Sequence, residues 1–171
     1  MLEWGGPNWV GYDVHGATLG DVYHVISAMP EAGKAEWGDS NYSMEFDDKG
    51  EVTSVTANIL YKVTMPTWVE VDQAPQAAQD EWGRFWSALE AHEQGHLQIL
   101  DDNVSGVDER MVGKSKTAAE KEWNDTFAKI QKLSDEYDGS TRNGQNDGTI
   151  LDTSAGEPEE AEAAEGESEE Q

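Results

Sequence analysis

Apolar residues alternate with polar ones in the first third of the chain and recur every three to four residues later on. Val10, Tyr12 and Val14 alternate over Trp9 to His15, which predicts a short strand. Thr18 then caps a helix over Leu19 to Met29, with Val22, Tyr23, Ile26 and Met29 on one face and Pro30 ending it. Lys34 to Phe46 reads as a strand with Trp37, Tyr42, Met44 and Phe46 facing inward. Asp47-Asp48-Lys49-Gly50 is a turn, with glycine where a positive φ is needed. Glu51 to Thr64 is the strongest strand, carrying Val52, Val55, Ile59, Tyr61 and Val63; Met65 to Trp68 closes the sheet. Pro75 opens a helix predicted from Gln76 to Met111 or Val112, ended by Gly113. A second helix over Ser115 to Tyr137 carries Ala119, Trp123, Phe127, Ile130 and Leu133. Tyr137 to Leu151 reads as a loop rich in Gly, Asn and Asp. The fold expected is α+β: a small β-α-β-β layer, then two long antiparallel helices. The domain spans residues 1–152 and a disordered acidic tail spans 153–171.

The apolar stripe of the first long helix is interrupted. Trp82, Phe85, Trp86 and Leu89 precede the break, and Ile99, Leu100 and Val104 follow it. Between them stands His92-Glu93-Gln94-Gly95-His96, an H-E-x-x-H sequence. Two histidines at i and i+4 lie about 40° apart around a helix, so both rings project from one face. Two neutral imidazoles so placed can bind Zn²⁺, and Glu93 is positioned to act as general base on the zinc-bound water. The plain alternative is two solvated histidines on an amphipathic helix. The interrupted stripe argues against it, because an unpaired polar group in a core costs about 1–3 kcal/mol.

Composition narrows the partners. The net charge is −25, from 36 acidic and 11 basic residues. Setting aside the eight glutamates from Glu157 onward leaves 28 acids against 11 bases, a net of −17. An acidic body disfavours nucleic acid and anionic membrane surfaces. It fits a halophile-like, high-salt setting in which salt screens self-repulsion. Stability is therefore expected to rise as salt goes from about 0.1 M to 1 M and the Debye length shrinks from roughly 10 Å to 3 Å. A melting temperature that stays flat or falls over that range would remove the argument. The chain has no cysteine, so neither a disulfide nor a thiolate zinc site is available. No apolar run nears the roughly 20 residues of a membrane span, and the first residues lack the pattern of a secretory leader.

Several landmarks occur in a particular order: Tyr12-x-Val14-x-Gly16, Pro66-x-Trp68, Trp82, His92-Glu93-x-x-His96, Tyr137-Asp138-x-x-Thr141, and Asn143-Gly144-Gln145 with Gly148. In this the chain, over Tyr12 to Leu151, resembles a bacterial family of uncharacterised proteins described as predicted secreted zinc-dependent proteases. The resemblance implies a zincin-like metallopeptidase acting on a peptide or protein substrate, and export from the cell. It also marks the Tyr137-Asp138 loop as functional. The chain departs from the family pattern in two places. The loop continues with His-Gly in relatives, whereas Asn143 stands in the histidine place here, and the first residues of this sequence do not show the leader expected of an exported protein, so either export is by another route or the leader is missing from this sequence.

A catalytic zinc needs a third protein ligand. His24 belongs on a helix face and His15 at a strand end, and Ile99 keeps the helix running so that Asp102 is carried away. Asp138 ranks first as the third ligand, Glu120 second, with Glu122 beside it, and Asn143 third. Tyr137 is a candidate donor to the oxyanion. The expected function is zinc-dependent peptide hydrolysis by a monomer. The alternatives are a catalytically inactive zinc-binding or partner-binding module of the same fold, or a domain in which the histidines only pack.

Overall fold

The computed structural model describes residues 1–29 and 33–157. The fold is mixed α and β, built on one four-stranded sheet. Strand β1 (Leu2–Val14) leads into helix α1 (Leu19–Ala28), followed by β2 (Lys34–Glu36), β3 (Asn41–Phe46) and the long strand β4 (Val52–Trp68). Helices α2 (Gln76–Val104), α3 (Val107–Met111) and α4 (Lys116–Thr141) complete it.

β4 is the spine. β1 runs parallel along one side, from Leu2 opposite Ala57 to Val14 opposite Trp68. β3 and β2 lie in tandem, antiparallel, along the other. Val55, Ala57, Ile59, Tyr61 and Val63 of β4 are buried on the helix-covered face, while Thr53, Ser54 and Leu60 are exposed. This is the alternation of a sheet covered on one side. Pro66, near the end of β4, is tolerated because β2 does not extend past Thr64.

Six expectations are corrected. β1 starts at Leu2 rather than Trp9 and absorbs a bulge between Trp4 and Pro7, where Gly6 takes φ 71°. The single strand expected over Lys34 to Phe46 is two strands. The Gly38-Asp39-Ser40 segment turns between them, and the Ser40 hydroxyl bridges to the Leu60 backbone at 3.0 and 3.1 Å, filling the gap in the ladder. Phe46, at the end of that hairpin, is 43% exposed rather than inward. On α1, Thr18 and Asp21 form the capping box, but Tyr23 and Met29 are exposed and Leu19 and Val22 carry the packing. The long first helix stops at Val104, because Gly106 adopts a left-handed φ of 68° and α3 restarts from it. α4 runs four residues past Tyr137, so Tyr137 and Asp138 are helical rather than in a loop.

α2 and α4 are antiparallel neighbours: His92 meets Asp138 and His96 meets Ser134, so pairing descends one helix as it ascends the other. The chain after α4 folds back along α2. Arg84 ties it down, paired with Glu81 and donating to the Gly148 and Ile150 carbonyls at 2.7 and 2.6 Å. Thr153–Gly156 forms a further turn, with Gly156 against Ala78 and Ala155 against the core. The body therefore continues beyond the expected boundary at Asp152; of the expected tail, 158–171 lies outside the described residues. Among the described residues no helix is long and apolar enough to cross a membrane.

Candidate metal centre

The buried stripe of α2 reads Ala78, Trp82, Phe85, Leu89, His92, Glu93, His96, Leu100 and Val104. The three polar members are as buried as their neighbours: His92 and His96 are 5% exposed and Glu93 2%. They are buried without being sealed in. His92, Glu93 and His96 lie on the floor of a cleft of about 640 Å³. Its apolar side includes Phe85 and Leu89 of α2 and Trp37 beyond β2; its polar side includes Gln131 of α4, Asn143 and Thr149.

Across the helix pair, Asp138 meets both rings. Its Oδ1 lies 3.2 Å from His92 Nε2 and 3.1 Å from His96 Nε2. One donor atom from each of the three residues falls within 4.8 Å of the others, so the cluster can hold a metal ion. Chemistry and spacing both fit zinc. Ligand atoms about 2.1 Å from a tetrahedral ion sit about 3.4 Å apart, close to the contacts seen here. Carboxylate and imidazole donors suit that ion, and no thiolate is required.

The outer nitrogens are also held. Asp147, on a short turn over Gln145–Asp147, places Oδ2 3.3 Å from His92 Nδ1, and the Ser134 hydroxyl lies 2.6 Å from His96 Nδ1. With Nδ1 protonated on each ring, both Nε2 lone pairs face Asp138. Gly144 lets the loop reach His92: a Cβ there would sit 3.0 Å from His92 Cγ, and φ is 77°. Tyr61 of β4 fixes the helix from the sheet side, donating to the Glu93 carbonyl at 2.9 Å.

Electrostatics separates the roles. Burial, with the Asp138 charge adding to it, pushes the Glu93 carboxyl up to about 7. Its Oε2 is buried with no hydrogen-bond partner among the described residues. Burial lowers the His96 pKa despite the nearby Asp138, which favours the neutral imidazole a metal requires.

Residues 9–145 match a family described as bacterial proteins of unknown function, DUF922. The chain belongs to the DUF922 family. The matched span takes in α2, α4 and the whole His92, His96 and Asp138 cluster, and the family's description names no activity. No curated protein and no solved structure matches the chain.

Within this DUF922 chain the other candidate ligands lie elsewhere. Glu120 pairs with Lys116, and Glu122 with Arg110 and Lys114; about 27 and 24 Å of helix separate them from Asp138. Asp102 is exposed and accepts from Gln98. His15 pairs with Glu70 at 2.7 Å, and His24 is exposed on α1. Asn143 lines the cleft. Tyr137 does not. Its ring stacks on His92 at 4.9 Å, meets His96 edge-on at 5.1 Å, and lies against Gly95. Ser134, Asp147 and Tyr61 had no signal as site residues in the sequence, although Ser134 precedes Asp138 by one helical turn and so shares its face.

Gly95 thus has a specific task. A Cβ at that position would come within 2.5 Å of Tyr137 Cζ and 2.8 Å of Cε1. Alanine is normally the better helix residue by about 1 kcal/mol. Here Gly95→Ala is expected to lower the melting temperature by several degrees and weaken metal affinity at least about tenfold, because the ring that braces both histidines must move. A rise in melting temperature, as for an ordinary helical Gly→Ala change, would show that Tyr137 does not brace the site.

Proposed function

We propose that this protein is a zinc-dependent metallopeptidase whose zinc is held by His92, His96 and Asp138. One observation carries the reading: a buried carboxylate, Glu93, with an unpartnered oxygen and a raised pKa, on a cleft floor beside a three-donor cluster. A merely packed histidine pair leaves that oxygen unexplained.

Zinc in such a site lowers the pKa of water towards about 7 and polarises a carbonyl. Glu93 Oε2 takes the proton of the attacking water and delivers it to the nitrogen of the leaving amine. A carboxyl group poised near neutrality suits both transfers. Tyr61 holds the Glu93 backbone, so the base does not drift as its charge changes. Asp147 and Ser134 keep the two rings in one tautomer and orientation. The open cleft admits an extended peptide, with apolar side chains resting on Phe85, Leu89 and Trp37.

The test has two measurements. Protein purified without chelator is assayed for metal by mass spectrometry and for cleavage of a varied peptide library and an unfolded protein. One zinc per chain, cleavage, loss of cleavage with chelator and recovery with zinc are expected. One zinc without cleavage of any substrate moves the protein to the inactive binding module. Absence of zinc after reconstitution defeats both readings.

A further inference from the structure

We propose that Asn143 is a catalytic residue of this cleft, its side-chain amide donating to the oxygen of the carbonyl under attack; this rests on the peptidase reading. The argument begins with backbone conformation. Arg142 and Asn143 are the two non-glycine residues with positive φ among those described, at 54° and 53°, and Gly144 follows at 77°. The left-handed region strains any residue with a Cβ, and asparagine tolerates it better than most. Glycine would remove the strain, yet position 143 carries a side chain.

That strained conformation is held from several directions. The Asn143 N–H donates to the Asp138 carbonyl at 2.8 Å, and its own carbonyl accepts from Thr149 Oγ1 at 3.3 Å. The next N–H, of Gly144, donates to Thr141 Oγ1 at 3.2 Å. Asn143 is therefore registered on the residue whose carboxylate completes the donor cluster. With its backbone groups engaged inside the protein, the polar group it offers to the cleft is the carboxamide. That carboxamide makes no hydrogen bond to any described residue.

Other polar side chains around the cleft have partners of their own: the Ser134 hydroxyl accepts from His96 Nδ1 in the tautomer that frees Nε2, Gln131 donates to Asp135, Thr149 donates to Asn143, and Lys34 pairs with Glu36. The Trp37 ring lies stacked on Tyr61. Tyr137 lies against Gly95, outside the cleft wall. Asp138 supplies the third donor of the cluster, and the Asn143 carboxamide, lining the cleft with no partner of its own, is available to the substrate.

The chemistry needs such a donor. As the water oxygen bonds to the carbonyl carbon, the carbonyl π pair becomes charge on oxygen. That pair returns as the C–N bond breaks, and the water proton passes through Glu93 to the amine nitrogen. An amide N–H aimed at that oxygen strengthens its bond as the charge grows.

The test uses Asn143→Gly, Asn143→Ala and Asn143→Asp in the full chain. Asn143→Gly relieves the backbone, so it keeps the fold, with a melting temperature within a few degrees of wild type. Expected results are unchanged zinc stoichiometry and affinity, a kcat loss of about 10²–10³-fold for all three variants, and KM within about threefold. A phosphinic peptide, whose tetrahedral anionic oxygen stands in for the charged oxygen, should bind Asn143→Gly more weakly by a similar factor. Zinc affinity falling in step with kcat would make Asn143 a ligand and overturn the assignment. So would phosphinic peptide affinities equal to wild type. Should the wild-type chain cleave no peptide, the peptidase reading fails on its own, and the phosphinic comparison still decides Asn143: equal binding overturns the contact, weaker binding upholds it.

Discussion

Glu93→Gln is expected to retain one equivalent of zinc and to lose peptide hydrolysis by about 10²-fold or more, the scale of a positioned acid–base group. The side chain keeps its shape and its place on the cleft floor. The Tyr61 contact is to the backbone and survives the change. What disappears is the capacity to accept a proton. The substitution also removes a carboxylate that burial already holds up at about 7, so the fold loses no favourable charge pairing. Comparing kcat/KM and zinc content of the two proteins tests this. A variant that cleaves within threefold of wild type would show that Glu93 is not the base, whatever the metal does.

The donor pair was legible in the sequence because it broke a pattern. Trp82, Phe85, Leu89, Leu100 and Val104 define a stripe that points at the core, and His92, Glu93 and His96 sit in it. Periodicity fixes direction on a helix, so a polar interruption of known phase is informative at once. The same logic found Ala119, Trp123 and Ile130 on α4. It could not find where α2 ends, because Ser105 and Gly106 interrupt a pattern that α3 resumes. Lys34–Phe46 reads as one strand although Trp37 and Tyr42 stand five residues apart, a break in the two-residue period at Gly38, Asp39 and Ser40, where pairing with β4 shows that the chain turns.

The partners of the histidines were harder to read, for a physical reason. Asp138, Ser134 and Asp147 lie 38 to 55 residues from the rings they meet. No local spacing encodes such contacts; the antiparallel packing of α2 and α4 does. Tyr137 illustrates how neighbours in sequence part on a helix. It neighbours Asp138 in sequence, but the two side chains leave α4 about 100° apart. One meets the donor atoms, and the other packs on Gly95 between the rings. Adjacency in a motif put both in the chemistry, whereas helix geometry sends one to the donor atoms and the other against the faces of the two rings.

Substitutions around the donor cluster should rank by distance from the ion. His96→Ala removes a ligand and should abolish tight zinc binding. Asp138→Asn keeps the shape but replaces an anionic oxygen donor with a neutral one, so affinity should fall by more than the 10- to 100-fold typical of an outer partner. Asp147→Asn keeps an acceptor oxygen but loses the negative charge behind His92 Nδ1, and should fall within that 10- to 100-fold range. Glu120→Gln, at an exposed i,i+4 pair with Lys116, should leave zinc affinity unchanged. Competition against a chromogenic chelator measures all four on one scale. The order itself is the test. If Glu120→Gln weakens binding more than Asp138→Asn, the third ligand comes from the far end of α4, and the helix pair must rearrange to bring it there. If Asp147→Asn costs as much as Asp138→Asn, both carboxylates bind the ion directly, and Asp147 is a ligand rather than a support.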